Sequence, residues 1–148
     1  MEDYFNKAID NRKIPMIPVI HKDIVILYFN DDLREKFEKF INLNPKSDYI
    51  MLDGNHRTTA LTLSQNLLGA IVLENDEDFR RAKEMVRIGE LLESDIYDED
   101  LESNCKILQR HFSETFYFET VLQKTLRLVR DKLVEQSLID YFLINAKF

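Results

Sequence analysis

Residues 53–57 read "DGNHR", inside the longer run "YIMLDGNHRTTALTLSQNLLG". An apolar, strand-like stretch closes at Asp53, Gly54 permits a sharp backbone turn, and helical spacing begins near Arg57. The first turn of a helix carries unpaired N–H groups at the positive end of its dipole, which suits it to an anion. Arg57 adds a planar fork matched to two phosphate oxygens, and His56 adds a donor that also exchanges a proton near neutral pH. The hydroxyls of Thr58 and Thr59 lie where a nucleotide phosphate or its metal would meet them, and Asp53 suits Mg²⁺ or a sugar hydroxyl. A plain turn is the competing reading, because Asp-Gly-Asn is a favourable turn triplet and Asn55 is a good helix cap. Spacing alone leaves both open.

The bulk properties limit what such a junction can serve. At 148 residues, with 45% hydrophobic and 32% charged side chains, the chain suits one soluble globular domain. No apolar run reaches the roughly 20 residues that span a bilayer, and "MEDYFNKAIDNRK" has no secretory core. The single cysteine, Cys105, excludes an internal disulfide and a multi-cysteine metal site, so a cytoplasmic protein is expected. A net charge of −7 disfavours duplex DNA as the main partner, since Lys and Arg supply most of that affinity.

All three glycines and all three prolines precede residue 90, so a mixed, tightly turned first part should be followed by helices. "IPMIPVI" at 14–20 suits an edge strand because of its prolines, and "DIVILYF" at 23–29 suits a second strand. Asp31 or Asp32 should cap a helix carrying Leu33, Phe37, Phe40 and Ile41 on one stripe. "NPKSD" at 44–48 is a turn and "YIML" at 49–52 a short buried strand. A helix from about 57 to 68 should turn Ala60, Leu61, Leu63, Leu67 and Leu68 inward and stop at Gly69. "AIVLE" at 70–74 is another strand, and Asp76 should cap a helix with Phe79, Ala82, Met85 or Val86, Gly89 and Leu92 on one side. After the acidic join "ESDIYDEDLE" at 93–102, Leu101, Cys105, Leu108 and Phe112 form a helical stripe that makes Cys105 a core residue. Phe118, Leu122, Leu126, Val129 and Leu133 should mark a long helix, with Lys124, Arg127, Arg130 and Lys132 partly on its other face. The apolar end "LIDYFLINAKF" needs a covering surface, either the domain itself or a second copy of the chain.

The motif resembles the signature of the ParB/sulfiredoxin-like superfamily, over roughly residues 12–92. Partition proteins of the ParB type carry Gly-Glu-Arg-Arg-x-Arg-Ala here, of which Gly54, Arg57 and Ala60 match. Sulfiredoxins carry Gly-Cys-His-Arg, but Asn55 stands where their reacting cysteine would be. The free serine kinases carry Asp-Gly-His-His-Arg, which Asp53, Gly54, His56 and Arg57 match. The resemblance implies an α+β core over 1–95, a small mixed sheet with flanking helices, and a helical extension over 96–148. It implies a phosphate cradle for ATP, ADP or CTP with Mg²⁺, built from Gly54, Asn55, His56, Arg57, Thr58 and Thr59. The family's kinases place a glutamate after the first strand; Lys22 and Asp23 stand in that neighbourhood here. Asp23, Asp53 and His56 are therefore the candidate catalytic groups, with Asp53 the candidate metal ligand.

The expected function is a small phosphotransferase or nucleotide phosphohydrolase, where rate comes from positioning and charge stabilisation. The alternative is a non-catalytic nucleotide sensor or partition-type accessory module that dimerises or binds a partner through its C-terminal helices. "GNH" also occurs in metallophosphoesterases, but Arg57 in place of their acidic residue would oppose a dinuclear metal centre.

Overall fold

The computed structural model describes residues 1–146; Lys147 and Phe148, the end of the apolar tail, lie outside the described residues. Three short strands form one sheet: β1 (Ile17–His21), β2 (Tyr49–Met51) and β3 (Ala70–Val72), in the order β2-β1-β3. β1 runs antiparallel to β2 and parallel to β3. The helices are α1 (Glu2–Ile9), α2 (Lys22–Val25), α3 (Asp31–Leu43), α4 (Asn55–Leu63), α5 (Asp76–Arg87), α6 (Leu101–Thr115), α7 (Val121–Arg130) and α8 (Gln136–Asn145). The expected mixed α+β class is thus the class observed.

Contacts group the chain into two compact units, each assembled from separated segments. The sheet unit comprises Pro15–Asp53 and Ala70–Phe118; the helical unit comprises Met1–Ile14, Gly54–Gly69 and Glu119–Phe148.

In the sheet unit, β1 is the central strand and not an edge. Pro18 is tolerated there because its carbonyl accepts the Leu52 amide at 3.1 Å, one residue beyond the end of β2. Its missing N–H therefore costs a single bond at the end of that ladder, and the Leu52 carbonyl left over accepts from the Tyr97 hydroxyl instead. The expected strand at 23–29 is instead α2 followed by a 3₁₀ turn, Ile26–Tyr28. Val25 and Phe29, four residues apart, are buried, while Leu27 between them is 72% exposed. That is a helical burial pattern, and His21 starts it by accepting the Asp23 amide on Nδ1 at 3.1 Å. β2 is a strand as expected, but Tyr49 is exposed and only Leu52, just past its end, is fully buried.

The caps shift by one residue from the expected aspartates. Asn30 caps α3 by accepting from the Leu33 amide, and Asn75 caps α5 by accepting from the Asp78 amide. In both places an Asn-Asp pair was available, and the asparagine is the residue whose side chain meets the third helical amide. Leu33, Phe37, Phe79, Leu52, Leu73 and Cys105 are among the residues that fill the core of this unit. Phe118 joins it too, with ring centroids 4.8 Å from Phe112 and 5.1 Å from Phe37, so it lies apart from the helix it was expected to start.

In the helical unit, α1 and α7 pack on α4, and α8 also touches it. Phe5, Ala60, Leu63, Leu138 and Phe142 form the core, with Phe5 edge-on to Tyr141 at 5.2 Å. α4 ends earlier than its leucines suggest: Leu67 is 97% exposed and Leu68 is also exposed. The stop is made by Gln65, in the left-handed region at φ 58°, and not by Gly69. Its amide donates to Thr62 O, and the Asn66 amide reaches back to Leu61 O at 2.9 Å, closing the last carbonyls.

The long helix expected from Phe118 to Leu133 is the shorter α7, which ends before Lys132 turns left-handed at φ 54°. α7 buries Thr125 and packs Val129 on the core, whereas Leu122, Leu126 and Leu133 remain exposed. Two apolar stripes compete on this helix. The one carrying the smaller side chains is packed, and small residues let helix axes approach closely.

Gln65→Gly relieves a left-handed residue of its Cβ penalty, so urea unfolding should show a gain of about 0.5–1 kcal/mol. Phe79→Ala, emptying the sheet-unit core, should cost about 3–5 kcal/mol in the same measurement.

Candidate functional site

α4 opens on Gly54, whose φ of 113° and ψ of 22° lie in a region that a side chain would strain. This glycine is the N-cap, so Asn55 is the first helical residue and does not cap the helix as the plain-turn reading had it. The consequence is electrostatic. α3, α5, α6 and α7 each begin with a side chain that accepts the third helical amide, from Asn30, Asn75, Asp100 and Thr120. α4 begins with a residue that has no side chain to offer. Its first turn also carries no acidic residue, unlike the first turns of α3, α5 and α6. Neither a capping side chain on the N-cap residue nor an acidic residue within the first turn stands at this helix end.

What stands there instead is a cation. Lys124, from α7, donates from Nζ to Asn55 Oδ1 at 2.6 Å, bringing an ammonium onto the first residue of α4. Nothing in the spacing of the sequence links positions 69 residues apart. The sequence does mark Lys124 as one of a set of basic residues on α7. Arg127 of that set is paired with Glu119 at 2.7 Å, and Arg130 with Asp131 at 2.8 Å.

Along α4, the exposed residues lie at the beginning, and Thr62 further on is half-buried. Asn55 and His56 are exposed, whereas Arg57 is 2% exposed and Thr58 and Thr59 are buried. A guanidinium so placed is held by partners and not by water. Thr58 Oγ1 donates to Asn55 O at 3.1 Å, while Thr59 Oγ1 is buried with no hydrogen-bond partner. Neither hydroxyl lies at the surface.

The remaining predicted site residues belong to the sheet unit. Asp53, half-buried, is its last residue before Gly54. Asp23 sits in the single turn of α2 with its carboxylate 79% exposed, 3.6 Å from His21 Nδ1. Among the described residues no group of three or more His, Cys, Asp or Glu is arranged to hold a metal ion. Asp53 fits Mg²⁺ only in the manner of nucleotide sites, where one carboxylate shares the ion with phosphate oxygens and water.

Cys105 is fully buried in α6, and burial pushes its thiol up to about 11 from an ordinary 9.0. It is a core residue, as its place on the helical stripe implied, and is not primed for thiol chemistry.

Compared with known proteins, the chain matches no family model, no curated protein and no solved structure.

Two outcomes follow for Cys105. Iodoacetamide at pH 8 should leave the native protein unlabelled and label it fully in urea, as read by mass spectrometry. The folded thiol titrates above the unfolded one, so its contribution to stability is complete below about pH 9 and is lost as pH rises through about 11. A Cys105→Ala variant should lack that alkaline component.

Proposed function

We propose that this chain is a nucleotide-phosphate-binding protein of the ParB/sulfiredoxin-like type, a small phosphotransferase or nucleotide phosphohydrolase. Its phosphate is held at the amino end of α4. The observation that carries the reading is the Lys124 ammonium on Asn55, at a helix start with no capping side chain and no acidic first turn. An anion bound at this end would meet both the positive end of the helix dipole and the ammonium. The resemblance of Asp53, Gly54, His56 and Arg57 to the kinase motif agrees with phosphate as that anion.

Roles follow from exposure. The α4 amides, His56 and Lys124 bind and orient the phosphate, and Gly54 lets the backbone approach it closely. Asp53 shares Mg²⁺ with the nucleotide, and His56 is the acid or base within reach of the phosphate. Arg57, being buried, supports the first turn and contributes its charge from below the surface. Asp23 is the family-suggested base and, as an exposed carboxylate, is the less supported assignment.

A second reading is favoured by one feature. Leu122, Leu126 and Leu133 form an exposed apolar series in the helical unit, which suits a nucleotide-sensing or partition-type module that binds a second copy or another protein.

Calorimetry with ATP, ADP and CTP, with and without Mg²⁺, tests the first reading. Lys124→Met keeps length and removes charge, and should cost about 1.5–3 kcal/mol of binding, about one to two decades in affinity. Arg130→Met, on the same helix and paired with Asp131 beyond its end, should bind as the wild type does. Wild type that binds no nucleotide below millimolar, or Lys124→Met that binds equally well, would falsify the proposal. Turnover of a bound nucleotide separates the enzyme from the sensor.

A further inference from the structure

The acidic join between α5 and α6 looks in sequence like a solvated linker, yet it is built around two side chains with defined tasks. Asn104, on α6 and fully buried, accepts the amides of Tyr97 and Asp98 on Oδ1 at 3.2 and 3.3 Å. Its Nδ2 donates to Asp98 O at 2.9 Å and Asp100 O at 2.7 Å. Thus all the hydrogen-bonding capacity of one buried amide goes into shaping this loop. The loop in turn delivers Tyr97, whose hydroxyl donates to the carbonyl of Leu52.

Leu52 is the residue before Asp53, and it is fastened at three points. Its side chain is buried in the sheet-unit core, its amide donates to Pro18 O at 3.1 Å, and its carbonyl accepts from Tyr97. Short strands fray at their ends, and β2 has only three residues, so this end is not held by its ladder alone. Burial and the charges of Asp53 and Asp95 raise the pKa of Tyr97, so its phenol stays protonated as a donor.

We propose that Tyr97, itself set by Asn104, is the positioning residue for Asp53: its hydroxyl clamps the Leu52 carbonyl and so fixes the carboxylate that opens "DGNHR". The role given to Asp53, sharing Mg²⁺ with a nucleotide, rests on the reading of the preceding subsection. The clamp itself does not.

Tyr97→Phe removes only the hydroxyl, and two measurements on the full chain decide the matter. In hydrogen exchange, the Leu52 amide should exchange about tenfold faster in the variant, while the Leu73 amide, which donates to Val19 O on the other side of β1, keeps its rate. Equal change at both amides, or none at Leu52, overturns the clamp whatever the protein binds. In calorimetry, ATP affinity should fall about tenfold with Mg²⁺ and stay unchanged with EDTA, because Asp53 acts only through the metal. A loss of equal size with and without Mg²⁺ overturns the positioning role. Wild type that binds no ATP overturns the nucleotide reading, and the exchange rates then still decide the clamp.

Discussion

The burial of α4 is the constraint on which the candidate site depends. From Arg57 onward the helix is packed, with α1, α7 and α8 against it and Thr62 half-buried, and its exposed residues are Asn55 and His56 at the start. The exposed residues of this helix therefore lie at the positive end of its dipole. Glycine at the cap leaves the first amides without a capping side chain, and Lys124 adds a full charge where the backbone already has a partial one. We read this arrangement as suited to an anion, which would meet the helix dipole and the ammonium together.

The sheet unit is held together in a different way. Its sheet is small, with a central strand of five residues and outer strands of three, so the ladder gives limited rigidity. Order comes instead from the phenylalanine cluster of Phe29, Phe37, Phe40, Phe112 and Phe118, and from hydrogen bonds made by buried polar side chains. Asn104 and Tyr97 belong to the second kind. They connect α6 to the end of β2, the place where the unit hands the chain to Gly54. Precision at a functional residue usually needs such outer support, and here it is drawn from a segment whose sequence is merely acidic.

What was legible in the sequence, and what was not, divides along physical lines. The turn at Gly54, the strand before it and the helix after it were legible because apolar run, glycine and helical spacing all agree there. Cys105 was legible from the period of its neighbours. The run at 23–29 misled because a short continuous apolar stretch fits strand and helix alike, and the exposed Leu27 carries no mark of its exposure in the sequence. The leucines of α7 misled because hydrophobicity was taken to choose the packed face, whereas close approach to α4 favours Thr125 and Val129. Gln65 was invisible as a helix stop because any residue can adopt the left-handed region at modest cost. The contacts of Lys124 with Asn55 and of Tyr97 with Leu52 could not be found, since each spans a separation that only the fold closes.

The central claim is that the exposed start of α4 takes a phosphate, and amide chemical shifts report it residue by residue. Titrating ATP with Mg²⁺ into ¹⁵N-labelled protein should move the amides of Gly54, Asn55, His56 and Arg57 together and saturably, with Lys124 following. Shifts scattered over other elements, or none in this turn at millimolar nucleotide, would contradict the account and leave "DGNHR" as a turn between two units.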